Sequence, residues 1–195
     1  IGTIPLNIMI NNKNYKDRVD IEPEEFYEML PKLEKLPTTS MPSPVEFLKE
    51  YKKAKYEGFD KILCICMSSG TSGSYQSAVI AQKEYLDEGI DEKIHVIDSK
   101  CMSHGSGYLV LKSALLKEKG ATFDELINFN ETYKTNVKHF LSVDDLNNLI
   151  KSGRLTNVSA IIGKILKVKP IMSMRNGKGA IVAKVRGTKK VYDNI

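Results

Sequence analysis

Short apolar runs alternate with amphipathic stretches over the first half of the chain, which is the pattern of repeated strand–helix units. Residues 61–67 read Lys-Ile-Leu-Cys-Ile-Cys-Met, a run that predicts a central parallel strand buried on both faces. Residues 75–88 carry apolar side chains at helical spacing, residues 92–97 predict a second strand, and a leucine-rich helix follows and ends at Gly120. This order of elements predicts an α/β fold.

Two helix starts carry a complete capping signature. Residues 43–46 (Ser-Pro-Val-Glu) and 122–125 (Thr-Phe-Asp-Glu) each place a hydroxyl group three residues before a glutamate. Pro44 also takes the first helical position, where its missing N–H costs nothing. We therefore predict helices that begin directly after Ser43 and Thr122.

The last third of the chain has a different character. Residues 137–142 predict a strand, and two short helices are expected over residues 144–151 and about 158–166. Two β-prone runs, residues 168–174 and 180–186, are joined by Asn-Gly-Lys-Gly, which is a strong hairpin signal.

We predict two domains from this change of pattern. Residues 1–142 form an α/β domain, and residues 143–195 begin a second α+β domain that is incomplete. Ile1 lies within an apolar stretch, and residues 188–191 look like the start of a helix just before the chain stops. We therefore expect segments to be missing from both ends.

The composition is that of a soluble globular protein, with 195 residues, 42% of them apolar and 27% charged. The longest apolar runs are too short to cross a bilayer, and no basic-then-apolar leader opens the chain. Three cysteines without framework spacing favour a reducing compartment. These features predict a cytoplasmic protein.

Charge is distributed unevenly. Residues 1–100 hold 13 basic and 17 acidic side chains, a net charge of −4, whereas residues 101–195 hold 16 basic and 7 acidic ones, a net charge of +9. From Lys151 onward, 11 lysines and arginines face a single acid, Asp193. Such a segment attracts phosphates or acidic partners, unless it is only a solvated lysine-rich surface.

Two loops are rich in hydroxyl groups. Residues 37–43 read Pro-Thr-Thr-Ser-Met-Pro-Ser, and residues 68–74 read Ser-Ser-Gly-Thr-Ser-Gly-Ser, between the buried strand and the next helix. Hydroxyls and backbone N–H groups at a helix N-terminus bind anions such as a carboxylate or a phosphate. Ligands of open α/β sheets lie beyond the carboxyl ends of strands, where both loops are expected. Ordinary capping and turn chemistry is the alternative interpretation, and neither loop has a P-loop lysine.

A serine esterase is a competing hypothesis. It would use Ser69 or Ser72 as the nucleophile and His104 as the base. The sequence has no complete Gly-x-Ser-x-Gly elbow, which argues against this chemistry.

The cysteines do not predict a metal site. Cys64 and Cys66 alternate on one strand without further ligands at zinc spacing, so we interpret them as core residues. Cys101 follows the second strand in a loop and is expected to be exposed, with nothing nearby to activate it.

Arg154 and Arg186 lie in the basic segment and are candidates for forked contacts with a phosphate or a carboxylate. Aromatic side chains are sparse there, which argues against nucleic acid as a partner. A phosphate- or nucleotide-binding module using the hydroxyl loops, or an interaction protein without a pocket, are the remaining hypotheses.

Seven motifs occur in the order and register of one bacterial family, so the whole chain resembles the DegV family. They are Pro-Thr-Thr-Ser-x-Pro-Ser-Pro (37–44), Ser-Ser-Gly-Thr-Ser-Gly-Ser-Tyr-Gln-Ser-Ala (68–78), Val-Ile-Asp-Ser-Lys (96–100), Gly-x-Gly (105–107), Leu-x-x-Leu-x-Lys-Ser-Gly-Arg (146–154), Ile-Gly-x-Ile-Leu-x-Val-Lys-Pro-Ile (162–171) and Lys-Val-Arg-Gly (184–187).

The resemblance implies a two-domain fold, with a Rossmann-like parallel-sheet domain and a smaller α+β domain with antiparallel strands. It implies a carrier that is not itself an enzyme, has no cofactor and holds one long-chain fatty acid in an internal tunnel. The carrier presents the fatty acid to a separate ATP-dependent kinase subunit, and the acyl phosphate enters phospholipid synthesis. A transient contact with a membrane surface is also implied.

By motif position, the resemblance assigns the fatty acid carboxylate to Thr39 and Ser40 of the first loop and to Ser72 and the Gly73 N–H of the second. Ser69 is a further candidate, and the motifs do not decide which of the loop serines makes the contact. Arg154 and Arg186 match a basic patch implied to contact the kinase or the acyl phosphate.

Two positions depart from the family pattern, since Met41 stands where glutamine is common and His104 lies in a region that is usually small or apolar. Both are expected to tune the pocket. The family's C-terminal carboxylate-binding histidine has no counterpart in this sequence.

Overall fold

The computed structural model describes residues 1–89, 93–143, 150, 152–156 and 168–195. The chain divides into two compact units, the first made of Ile1–Cys64 with Gly73–Val96 and the second of Ile65–Ser72 with Ile97–Ile195. The domain boundary near residue 143 stays a prediction.

The first unit contains a three-stranded antiparallel sheet with the order β2-β1-β3. Its strands and helices are β1 (Asn7–Ile10), β2 (Lys13–Lys16), α1 (Pro23–Met29) with a 3-10 turn (Leu30–Lys32), β3 (Thr38–Ser40), α2 (Pro44–Tyr56) and α3 (Ser74–Asp87). β1 and β2 are joined by Asn11 and Asn12, both with positive φ, a conformation that asparagine adopts more readily than most residues.

The core of the first unit lies between α2 and α3. Phe47 and Tyr51 are buried on α2, and Tyr85 is buried on α3. The rings of Tyr51 and Tyr85 meet edge to face with centroids 6.2 Å apart. The Tyr51 hydroxyl donates to the backbone oxygen of Ala78 over 3.3 Å. This hydrogen bond gives the buried hydroxyl a partner inside the core.

The two strands predicted around the second hydroxyl loop are present as β4 (Lys61–Cys66) and β5 (Lys93–Asp98), which pair in a parallel sheet. Burial of β4 on both faces was expected, but only Cys66 is buried and residues 62–65 are half-buried. Within the described part of the chain β4 has one strand neighbour, which leaves it less covered than a central strand.

The second unit contains a four-stranded sheet with the order β6-β8-β9-β7. Its strands and helices are α4 (His104–Glu118), α5 (Phe123–Tyr133), β6 (Phe140–Ser142), β7 (Leu155–Thr156), β8 (Val168–Arg175), β9 (Lys178–Arg186) and α6 (Thr188–Tyr192). The predicted hairpin is confirmed, because Asn176 and Gly177 form its two-residue turn with φ of 51° and 75°. The helices predicted over 144–151 and 158–166 lie almost entirely outside the described residues.

Local signals were reliable at the helix ends. Both predicted capping boxes are present, at Ser43 with Glu46 and at Thr122 with Glu125. Gly120 follows α4 with a φ of +93°, as a C-terminal glycine does.

The predicted α/β fold, with both parallel and antiparallel strands, is confirmed. Among the helices of the described residues, none has the length and apolar character needed to cross a membrane.

Replacing Thr122 with alanine is expected to lower the free energy of unfolding by about 1 kcal/mol, because the first turn of α5 loses its side-chain acceptor. Thr132→Ala is the matched control, since Thr132 lies exposed inside the same helix. Urea denaturation of both variants measures the difference. Equal stability of the two variants would contradict a capping role for Thr122.

Candidate ligand-binding site

Within the second hydroxyl loop, residues Ser68–Ser72 form a tight turn whose hydrogen bonds centre on Ser68. Ser68 is fully buried, and its N–H donates to the Cys101 oxygen over 2.7 Å. The backbone oxygen of Ser68 accepts the N–H groups of Thr71 and Ser72 at 3.0 and 3.1 Å. The tight turn continues directly into α3, which begins at Ser74. The loop therefore has a defined conformation rather than an open one.

The turn of the β8–β9 hairpin packs on this loop. The Ser68 hydroxyl donates to the Gly177 oxygen over 2.5 Å and accepts the Gly70 N–H over 3.2 Å. A Cβ atom at Gly70 would lie only 2.5 Å from the Gly177 oxygen, so glycine is required for the close approach. The hairpin turn thus fixes the loop from one side.

The Asp98 carboxylate fixes the loop from β5. Its Oδ1 accepts the backbone N–H groups of Ser69 and Lys100, both at 3.1 Å. Its Oδ2 accepts the Ser69 hydroxyl and the Lys100 ammonium, the latter over 2.6 Å. Burial acts to raise the pKa of the Asp98 carboxyl, but the hydrogen bonds from Lys100 and Ser69 outweigh it and lower the pKa below its usual value. Asp98 is therefore ionised at neutral pH.

The first hydroxyl segment is not a loop throughout, and that part of the sequence prediction is wrong. Thr38–Ser40 forms the short strand β3, in which Thr39 lies opposite Ile8 and Ser40 opposite Asn7 of β1. A partner distant along the chain made this segment a strand. Side chains alternate along a strand, so Thr39 and Ser40 point to opposite faces. Both side chains are exposed.

Met41 connects the first segment to Gly73 within the first unit. Its thioether lies where a Cβ atom at Gly73 would be, and its backbone oxygen accepts the Asn7 side-chain amide over 3.4 Å. Gly73 thus lies next to the side chain of the residue that follows Thr39 and Ser40. Sequence reasoning had identified Met41 only as a departure from the family pattern.

The basic candidates lie far apart along β9. β7 pairs with β9 at Gly179, so Arg154, one residue before β7, lies beside the start of β9. Arg186 is the last residue of β9, seven residues beyond Gly179, which corresponds to about 23 Å of extended strand. The Arg154 guanidinium donates to the Ser152 oxygen over 2.6 Å. The two arginines therefore belong to opposite ends of the sheet, and their contact with a partner stays a prediction.

The esterase hypothesis needs a histidine beside its nucleophile, and for Ser69 the structure shows a carboxylate there instead. The Ser69 hydroxyl donates to Asp98, and its oxygen accepts the Lys100 ammonium over 3.4 Å. The Nδ1 atom of His104 lies 3.2 Å from the neighbouring Ser103 hydroxyl. A hydrolase would need the histidine beside the nucleophile.

Cys101 is buried with 1% of its surface exposed, so the expectation that it is exposed is wrong. Its backbone oxygen accepts the Ser68 N–H, and a Cβ atom at Gly105 would lie 2.9 Å from the Cys101 Cβ, so α4 packs directly over it. Burial raises the pKa of the Cys101 thiol. In the described part of the chain, no three His, Cys, Asp or Glu side chains form a metal site.

Iodoacetamide is therefore expected to alkylate Cys101 at least about tenfold more slowly in the native protein than in urea, because the thiolate is both inaccessible and disfavoured. Peptide mass mapping after timed quenching gives the rate for each cysteine. Equal native and denatured rates at Cys101 would show that the residue is accessible.

The fold and loops define an α/β protein with serine- and glycine-rich turns after parallel strands. The chain belongs to the DegV family. The model of this family, which carries the description "Uncharacterised protein, DegV family", matches residues 1–195. A DegV domain-containing protein of Caldanaerobacter subterraneus subsp. tengcongensis is 41% identical over 192 residues, which cover 97% of this chain and 66% of that protein. This chain thus spans slightly less than two thirds of that relative.

Two solved structures have the same fold. A fatty-acid-binding DegV family protein from Thermus thermophilus is 29% identical with a TM-score of 0.86, over 98% of this chain and 66% of the other. The fatty acid kinase B3 protein of Streptococcus pneumoniae, solved loaded with linoleic acid, is 26% identical with a TM-score of 0.83, over 98% of this chain and 68% of the other. These likenesses confirm the predicted family and fold.

Proposed function

We propose that this chain is part of a lipid carrier that holds one long-chain fatty acid in an internal tunnel and performs no chemistry on it. The observation that carries the proposal is the fixed Ser68–Ser72 turn leading into α3. Hydroxyl and backbone N–H groups at a helix start suit a carboxylate. Solved relatives that bind fatty acids support the same ligand.

Within this proposal, Ser72 and the Gly73 N–H bind the carboxylate together with Thr39 or Ser40. The opposite directions of Thr39 and Ser40 on β3 imply that one of them faces the ligand and the other does not. The hydroxyl and amide of Ser69 are bonded to Asp98, so we propose that Ser69 shapes the turn.

The alkyl chain supplies most of the affinity in this proposal. Burying a C16 chain at about 0.8 kcal/mol per CH₂ contributes about 12 kcal/mol before ordering costs. The hydroxyl groups mainly orient the carboxylate.

The proposed partner is a separate ATP-dependent kinase subunit that converts the presented carboxylate into an acyl phosphate. The similar protein from Streptococcus pneumoniae, which is named a fatty acid kinase B3 protein, supports this assignment. Arg154 and Arg186 are the proposed contacts for the kinase or the acyl phosphate, in a segment with 11 basic side chains and one acid. We place the carrier in the cytoplasm, in keeping with its three free cysteines, and expect transient contact with a membrane surface.

Titration of the delipidated full-length protein with palmitate and oleate tests the ligand assignment. We expect saturation at one fatty acid per chain and no displacement by millimolar inorganic phosphate. Binding of phosphate with refusal of both fatty acids would instead support a phosphate-binding module.

A further inference from the structure

Asp98 and Lys100 lie beside the hydroxyl loop, yet neither is a proposed ligand contact. The Asp98 side chain is 8% exposed and the Lys100 side chain 40% exposed. Burying a carboxylate is costly unless it is paired and hydrogen-bonded. Here both carboxylate oxygens are occupied, by two backbone N–H groups, a hydroxyl and an ammonium.

The cluster controls the conformation of the loop. Asp98 binds both the amide and the hydroxyl of Ser69, which precedes Ser72 by three residues. Lys100 has a φ of +55°, an uncommon conformation for a residue with a side chain, and its N–H donates to Asp98. The loops after β4 and β5 are therefore held together through one carboxylate.

Lys100 neutralises the charge of Asp98 and packs against the hairpin turn. Its ammonium lies 2.6 Å from Asp98 Oδ2 and 3.4 Å from the Ser69 hydroxyl oxygen. Its Cδ lies 3.3 Å from the position of a Cβ at Gly177, so its stem packs on the hairpin turn. Without Lys100, an uncompensated negative charge would remain next to a loop proposed to receive an anion.

We propose that Asp98 and Lys100 are positioning residues for the ligand carboxylate, which hold Ser69 so that Ser72 and the Gly73 N–H face the ligand and which neutralise the site. This inference rests on the proposed fatty acid ligand. It assigns the specificity for an acid head group to residues that do not touch the ligand.

Head-group discrimination in the full-length protein tests this inference. The dissociation constants of palmitate and of hexadecanol are measured for wild type, Lys100→Met and Lys100→Arg. We expect wild type to prefer palmitate, Lys100→Met to lose that preference by about tenfold or more, and Lys100→Arg to retain most of it. Hexadecanol affinity should stay within about twofold throughout, since the alkyl chain is bound elsewhere.

Lys100→Met is expected to fold, because the lysine side chain is partly exposed and methionine keeps most of its stem. An unchanged palmitate-to-hexadecanol ratio in Lys100→Met, with wild-type preference intact, overturns the positioning role and leaves the fatty acid carrier standing. Equal loss of both ligands would also overturn it, since that result denotes a general structural role. Failure of wild type to bind either lipid overturns the proposed function itself.

Discussion

Replacing Gly70 with alanine is expected to destabilise the protein by about 1–3 kcal/mol, in the range of overpacking substitutions. The added Cβ would lie 2.5 Å from the Gly177 oxygen, 2.9 Å from the Gly177 carbonyl carbon and 3.0 Å from Lys178 Cγ. Two of these are backbone atoms of the hairpin turn, so relief requires the turn to move. Movement would also break the 2.5 Å hydrogen bond from the Ser68 hydroxyl.

Gly107→Ala provides the matched control for this prediction. Gly107 lies within α4 with no atom within 4 Å of an added Cβ, and neither glycine is in the left-handed region. Alanine favours a helix over glycine by up to about 1 kcal/mol, so the control should be neutral or stabilising. Thermal and urea denaturation measure both variants. A Gly70→Ala protein as stable as Gly107→Ala would show that the hairpin turn does not pack on the loop.

Thr39→Ala and Ser72→Ala are expected to reduce acyl phosphate formation by the partner kinase at least about tenfold, while the proteins still retain fatty acid. A hydrogen bond to a charged group is worth about 1.5–3 kcal/mol, whereas the alkyl chain contributes several times more. Loss of one hydroxyl should therefore misplace the carboxylate without releasing the lipid. Kinase assays and lipid extraction on the same preparations separate the two effects.

Thr38→Ala is the control on the same strand, because Thr38 neighbours Thr39 and points to the opposite face of β3. It should leave both phosphorylation and lipid content unchanged. Complete loss of lipid from Thr39→Ala and Ser72→Ala would show that the hydroxyl contacts, and not the alkyl chain, supply most of the affinity. A defect in Thr38→Ala with normal phosphorylation in Thr39→Ala would place the ligand on the other face, which Thr38 shares with Ser40.

Signals confined to neighbouring residues made the fold predictable. The capping boxes at Ser43 and Thr122 and the Asn176-Gly177 turn each depend on a few consecutive residues, and the structure contains all three. β3 was missed because a three-residue strand is defined by its pairing with β1, about thirty residues earlier. Local composition there indicated only a loop.

The Ser68–Ser72 turn lies in a loop that the sequence predicted, but the contacts that hold this turn were not predicted. Asp98 and Lys100 appeared only within a family motif, because their partner Ser69 precedes them by about thirty residues and is brought near by the pairing of β4 with β5. Cys101 was placed wrongly for the same reason, since the helix and loop that cover it are fixed by tertiary packing. Hydroxyl-rich composition could suggest an anion site, but it could not distinguish a ligand contact from an internal hydrogen bond.

The central claim is that the protein carries one fatty acid. Native mass spectrometry of the purified full-length protein, followed by solvent extraction of the lipid, tests it most directly. We expect a mass excess that matches one long-chain fatty acid per chain and disappears on extraction, which would also reveal the preferred chain length and unsaturation. Protein that is free of lipid as purified and that refuses added palmitate and oleate would contradict the claim.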